Sequence, residues 1–253
     1  MPPNAASAET RSAAEIVRET AVAQAANGVC YAIAGEVGIS GSDLDRMVSA
    51  VPAAVARALA KKAYYFVPLT LSEGEETRVA VRYDVALGDK AVCHRNLNLN
   101  GSQCVLISTR LMDDKFSVAF EFFINVGHAF VEEAGVSGEF AELVSRQAES
   151  GVKGETSLDA FDFRRQAYAR ASDTDKQFRV LDEKAKTGYL GAAFSDSIAI
   201  YMLSLCLDVD YWDLREREYP LLAPAALAER MRQVQKLFPP GPGFEFNVFY
   251  RRR

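Results

Sequence analysis

No Cys-x-x-Cys pair links the four cysteines, Cys30, Cys93, Cys104 and Cys206, and only two histidines, His94 and His128, occur in 253 residues. Cysteines scattered in this way are small buried hydrophobes of a reducing compartment, not a disulfide framework or a cysteine-rich zinc site. Met1 to Ser12 have neither the basic start nor the apolar stretch of a secretory signal, and no uninterrupted apolar run reaches about 18 residues. The expectation is a cytoplasmic chain without a membrane span. Neither G-x-x-x-x-G-K-[ST] nor G-x-G-x-x-G is present, so no glycine-rich phosphate loop is expected, and no G-x-S-x-G elbow marks a serine hydrolase. A net charge of −5 gives no global attraction for nucleic acid or an anionic membrane. Arg251, Arg252 and Arg253 form the obvious local basic patch.

What is present is ordinary globular material, 49% hydrophobic and 25% charged. Residues 1–40 read as a helical, frayed N-terminal segment, with an Ala-rich helix from Arg11 to Asn27 that stops at Gly28. Leu44, Met47, Val51, Val55 and Leu59 recur at helical spacing, with Pro52 set to kink or restart the helix. The period then changes. Tyr64–Leu71, Thr77–Leu87, Lys90–Leu97 and Gln103–Leu111 are rich in β-branched and aromatic residues, and turn signals separate them. They predict four meandering strands with a hairpin at Asn100-Gly101. Helical spacing returns at 114–134, 137–149, 157–171, 174–186, 190–206 and 223–237, before Pro239, Pro240 and Pro242 break the chain. The predicted class is α+β: a small, mostly antiparallel sheet followed by a helical C-terminal half. A single domain is expected over 41–238 and a broken tail over 239–253. In that tail Phe244 to Arg253 alternates aromatic and polar residues until Tyr250, as a last strand or a partner-binding segment would.

The segment 114–134 is the most informative. Phe116, Phe120, Phe122, Phe123, Val126 and Phe130 surround it with apolar side chains, as in a buried helix. Ser117, Glu121, Asn125, His128 and Glu132 nevertheless follow at steps of four, four, three and four, which draws one narrow polar stripe. Such a stripe either meets water or lines a cleft. Gly127, costly in a helix interior by about 1 kcal/mol relative to alanine, marks close packing.

Ile124-Asn125-Val126-Gly127-His128-Ala129-Phe130 resembles the active-site helix of the zincin metalloproteases, whose motif is H-E-x-x-H, often H-E-x-G-H-A. Two histidines one turn apart bind one Zn²⁺ there, and the glutamate is general base to the metal-bound water. A second segment, Gly191 to Tyr201 followed by Asp210-Tyr211 and Tyr219-Pro220, is similar to the gluzincin helix that supplies a third, glutamate ligand. The resemblance spans roughly 63–235 and implies a zincin-like fold: a small sheet, the active-site helix, further helices, then the glutamate helix.

Placed on this chain, the resemblance puts Ile124 at the first histidine, Asn125 at the general base and Ala192 at the ligand glutamate, while His128 and the acidic Asp196 are kept. It therefore implies a pseudoenzyme, non-catalytic and without cofactor, whose cleft at Glu121, Asn125, His128, Glu132 and Asp196 still takes a peptide or protein partner. No nucleic acid or membrane partner is expected. Two alternatives stand beside it. One is a metal-dependent hydrolase, a peptidase with a site rewired around His128, in which zinc would draw on His128, Glu132 or His94. The other is a structural or assembly protein. His94 and Cys93, as successive strand residues, point to opposite faces and favour a structural role over a metal pair.

Overall fold

Continuous runs of buried residues along Lys62–Val67 and Ser102–Ser108 build the two inner strands around which the first half of the chain is organised. A computed structural model describes residues 9–73, 76–99, 101–112, 114–170, 178–209, 211, 214 and 221–246. The chain is α+β and falls into two compact units, 1–122 and 123–253, where one domain over 41–238 was expected.

The first unit holds two sheets. The larger has the order β2(Ala23–Gln24), β3(Cys30–Ile33), β4(Lys62–Val67), β9(Ser102–Ser108), β8(His94–Leu99). Its centre is parallel, β3 with β4 and β4 with β9, while β2 and β8 flank it antiparallel. The smaller sheet, β1(Thr10–Ser12), β6(Glu76–Ala80), β5(Leu69–Glu73), β7(Ala91–Val92), is antiparallel throughout. The expected meander is thus corrected to two sheets, and Pro68 is the reason. It stands where the expected strand 64–71 splits into β4 and β5, and a residue without an N–H ends one ladder before the other begins.

The expected hairpin is present between β8 and β9: Leu99 pairs with Ser102, and Gly101 takes the positive φ of 81° that such a turn needs, while Asn100 lies outside the described residues. Pro52 restarts the helix rather than kinking it, as N-cap between α2(Gly41–Ser49) and α3(Ala53–Ala58). Residues 9–40 correct the reading of a frayed helical segment, and residues 1–8 lie outside the described residues. A capping box of Ser12 and Glu15 opens α1(Ala13–Glu19), which ends at Thr20, and β1, β2 and β3 fill both sheets. Gly28, at φ 97°, turns the chain between β2 and β3. Ala13 and Ile16 of α1 then share a core with Ala32, Tyr65, Val67, Val79, Cys104 and Leu106. Ser108 ties the two sheets, its hydroxyl donating to the Val92 carbonyl at 2.6 Å and accepting from the Thr70 N–H at 2.8 Å.

The helix α4(Lys115–Ala134) begins in the first unit, where the Phe122 ring meets Tyr64 edge-on at 5.0 Å between centroids. The second unit contains the rest of α4 with α5(Gly138–Glu149), α6(Leu158–Ala167), α7(Glu183–Cys206) and α8(Pro224–Leu237), and a hairpin of β10(Tyr168–Arg170) with β11(Phe178–Val180). The expected helix 157–171 ends at Ala167, where β10 takes over. The expected helix 174–186 runs partly through 171–177, outside the described residues, and its described part is β11 and the start of α7. Every residue from Ala193 to Leu203 on α7 is buried, so the helix is a core element on all sides. By length and mean hydropathy α7 would suffice to cross a membrane, but 83% of its apolar window is buried inside the fold. Phe246 of the tail packs its ring on Tyr201, while 247–253 lie outside the described residues.

Candidate functional site

Among the described residues, β8 is the outer strand of the larger sheet. Its register with β9, together with the bond from the Ser108 N–H to the Cys93 carbonyl at 2.8 Å, fixes which amides face inward. In an antiparallel ladder the bonded pairs alternate, so Arg95, Leu97 and Leu99 bond β9. The N–H and C=O groups of His94, Asn96 and Asn98 point away from the sheet. Side chains alternate as well: Leu97 packs against the core that contains α1, which places His94, Asn96 and Asn98 on the opposite face.

On that face His94 Nδ1 lies 2.5 Å from a Glu121 carboxylate oxygen. The pair ties the start of β8 to the first half of α4. His94 is 40% exposed and Glu121 20%, so the imidazole borders solvent while its partner is half-buried. Cys93 sits at the bend between β7 and β8, not within the strand as expected, so the opposite-face argument does not apply to it. Partial burial and the Glu121 carboxylate push the Cys93 thiol above its ordinary value, which disfavours the thiolate that a metal requires.

The motif residues on α4 occupy several environments rather than one wall. Asn125 is buried, whereas His128 and Glu132 are exposed. Asp196 on α7 is 4% exposed. Burial pushes its carboxyl up, and the opposing influences are hydrogen bonds from Ser157 and Thr156, the latter at 2.8 Å, and the nearby His128. The structure thus pairs Glu121 with His94 and links His128 to Asp196 by an electrostatic influence. Zinc does not fit the motif: Ile124 and Ala192 carry no donor atom, and among the described residues no three of His, Cys, Asp and Glu converge as a metal group. Of the second motif, Asp210, Tyr219 and Pro220 lie outside the described residues.

Gly127 does mark close packing. A Cβ there would stand 2.4 Å from the Ser195 carbonyl oxygen, so α4 and α7 touch backbone to backbone at this point.

One feature of the second unit had no signal in the sequence. Glu155, fully buried, accepts from Arg230 at 2.9 Å, from Arg164 at 2.9 Å and from the Tyr189 hydroxyl at 2.6 Å. Arg230, equally buried, also donates from Nε to Gln147 at 2.8 Å. Burial by itself would lower the Arg230 guanidinium, and the Glu155 carboxylate more than offsets this. The Tyr189 hydroxyl is pushed well up by burial. These residues come from α5, α6, α7, α8 and the 150–157 link, with separations along the chain of up to 83 residues, so no local spacing announces them.

No protein-family model matches the chain, and no curated protein matches it.

Proposed function

We propose that this chain is a non-catalytic protein of zincin-like architecture that holds an extended peptide or protein segment along β8. The observation that carries the proposal is an edge left open among the described residues: three successive outward pairs of amide groups, at His94, Asn96 and Asn98, on a strand flanked by the His94–Glu121 pair. An edge of this kind adds a partner strand through main-chain hydrogen bonds, and neighbouring side chains select the partner. The zincin-like part is supported by the order of elements, in which a sheet leads through β9 into α4, further helices follow, and α7 comes later. The non-catalytic part is supported by Ile124, Asn125 and Ala192 at the positions where the resemblance requires two ligands and a base.

The test is selection from a library of displayed extended peptides, run in parallel on the native protein and on Asn96→Pro, which removes one outward N–H. Peptides enriched on the native protein and lost on the variant are the expected result. Enrichment that ignores the substitution, or no enrichment, refutes edge pairing.

A rewired metal-dependent hydrolase is the second reading, favoured by the electrostatic influence of His128 on Asp196. Metal analysis of protein purified without chelator or affinity metal decides it. About one zinc per chain, lost in His128→Ala, would replace the non-catalytic reading; equal and negligible metal in both proteins retains it.

A further inference from the structure

Three rings from three elements line a cavity of about 290 Å³ in the second unit: Phe161 on α6, Tyr168 on β10 and Phe178 on β11. Its volume is at the lower end of the range for small-molecule sites and suits a ligand of one or two rings. Two of these rings are held by the fold, and Phe161 is 41% exposed at the rim. Tyr168 is buried and meets Tyr189 edge-on at 5.9 Å. Gly151 turns the chain beside Phe178 at a φ of 69°, and a Cβ there would come within 3.1 Å of that ring.

The cavity also carries a charge preference. Lys153, Arg164 and Arg165 are among its lining residues. Arg164 is fixed by donating to the Gly154 carbonyl at 3.0 Å and to Glu155. Glu155 is shared with Arg230, so one buried carboxylate faces two guanidiniums and the trio keeps one positive charge. The other buried acid nearby, Asp196, is pushed towards its neutral form by burial. Arg165 meets Asp162 at 3.7 Å in an exposed pair, an arrangement that contributes little. Among the described residues, apolar walls backed by this excess of positive charge favour an anion over a neutral ligand of the same shape.

We propose that this cavity binds a small aromatic carboxylate, its ring among Phe161, Tyr168 and Phe178 and its carboxylate towards Lys153 and Arg165. The site belongs wholly to the second unit and stands or falls independently of the β8 edge.

The experiment is a ¹H–¹⁵N titration of the full chain with benzoate. Benzyl alcohol serves as the neutral ring and inorganic phosphate as the ringless anion. Saturable shifts at Gly151 and Gly154 are expected, with benzoate at least about tenfold tighter than either control, the equivalent of one charge-assisted hydrogen bond. Arg165→Gln, at an exposed position, should weaken benzoate about tenfold and leave benzyl alcohol unchanged. Phe178→Ala should weaken both. Absence of saturable shifts, equal binding of either control, or a benzoate affinity indifferent to Arg165→Gln would overturn the proposal.

Discussion

Gly127 has no side chain where α4 passes α7, and its neighbour there is the carbonyl of Ser195, not a flexible group that could swing aside. Alanine would gain about 1 kcal/mol of helix propensity at this position. The 2.4 Å approach requires the two backbones to separate, and overpacking of this kind costs about 1–3 kcal/mol. The net expectation for Gly127→Ala is a destabilised protein, read as a lower urea midpoint at unchanged slope. A second residue-scale effect belongs to Asp196, whose folded carboxyl is raised chiefly by burial, with Glu155 adding to it and Ser157, Thr156 and His128 opposing it. A raised acid binds its proton more tightly when folded, so its contribution is fully present below the unfolded value, about 4, and is lost as pH rises through the folded value. Asparagine does not titrate. Asp196→Asn should therefore gain stability relative to the native protein as pH rises from about 4, reaching a plateau above the folded value of Asp196. Urea unfolding of both proteins between about pH 4 and 8 checks the sign, and a difference independent of pH would contradict it.

At the scale of elements, β8 offers two neighbouring positions that differ mainly in which way the amide points. Proline at Asn96 removes an outward N–H and no ladder bond, whereas proline at Leu97 removes a bond to Cys104 of β9 and a side chain packed on the core. Leu97→Pro should destabilise by at least about 2 kcal/mol more than Asn96→Pro, a difference that thermal or chemical unfolding resolves. The same strand shows what the sequence made legible. The β-branched run of Gln103–Leu111 and the turn signal at Asn100-Gly101 announced the β8–β9 hairpin, and the return of helical spacing announced α4, because both signals are local. The parallel centre of the sheet was not legible, since pairing of Tyr31 with Tyr64 and of Tyr64 with Val105 depends on chain returns that no spacing encodes. Short strands were missed for a related reason. β2 and β3 have two and four residues, too few for a period to show, and they follow an Ala-rich run whose propensity favours helix. In the candidate site, the close packing at Gly127 was legible from propensity, because a helical glycine away from solvent has few other reasons to be there. The His94–Glu121 pair joins residues 27 apart on a strand and a helix, a proximity that only the fold creates.

Across the whole molecule, the two units rest on different physics. The first combines ladders of main-chain bonds with an apolar core between α1 and the sheets, and truncation there removes transfer energy and leaves a cavity. The second surrounds α7 with helices and places a charged network in its interior, where Arg230 and Glu155 are both inaccessible to solvent. A buried ion pair is weak evidence of net stabilisation, because desolvation of both charges opposes their attraction. Its loss on one side is a different matter. Arg230→Met leaves Glu155 with Arg164 and the Tyr189 hydroxyl, but strips two bonds from the carboxylate and leaves the Gln147 carbonyl without its donor. The expected cost is about 3–5 kcal/mol. Arg230→Met combined with Glu155→Gln removes the charge as well as its partner, and should be less destabilised than the sum of the two single variants. A double-mutant cycle measured by urea unfolding gives that coupling directly. Additive single effects would mean that Arg164 and Tyr189 satisfy Glu155 without Arg230, and the network would then be a set of separate contacts rather than one unit.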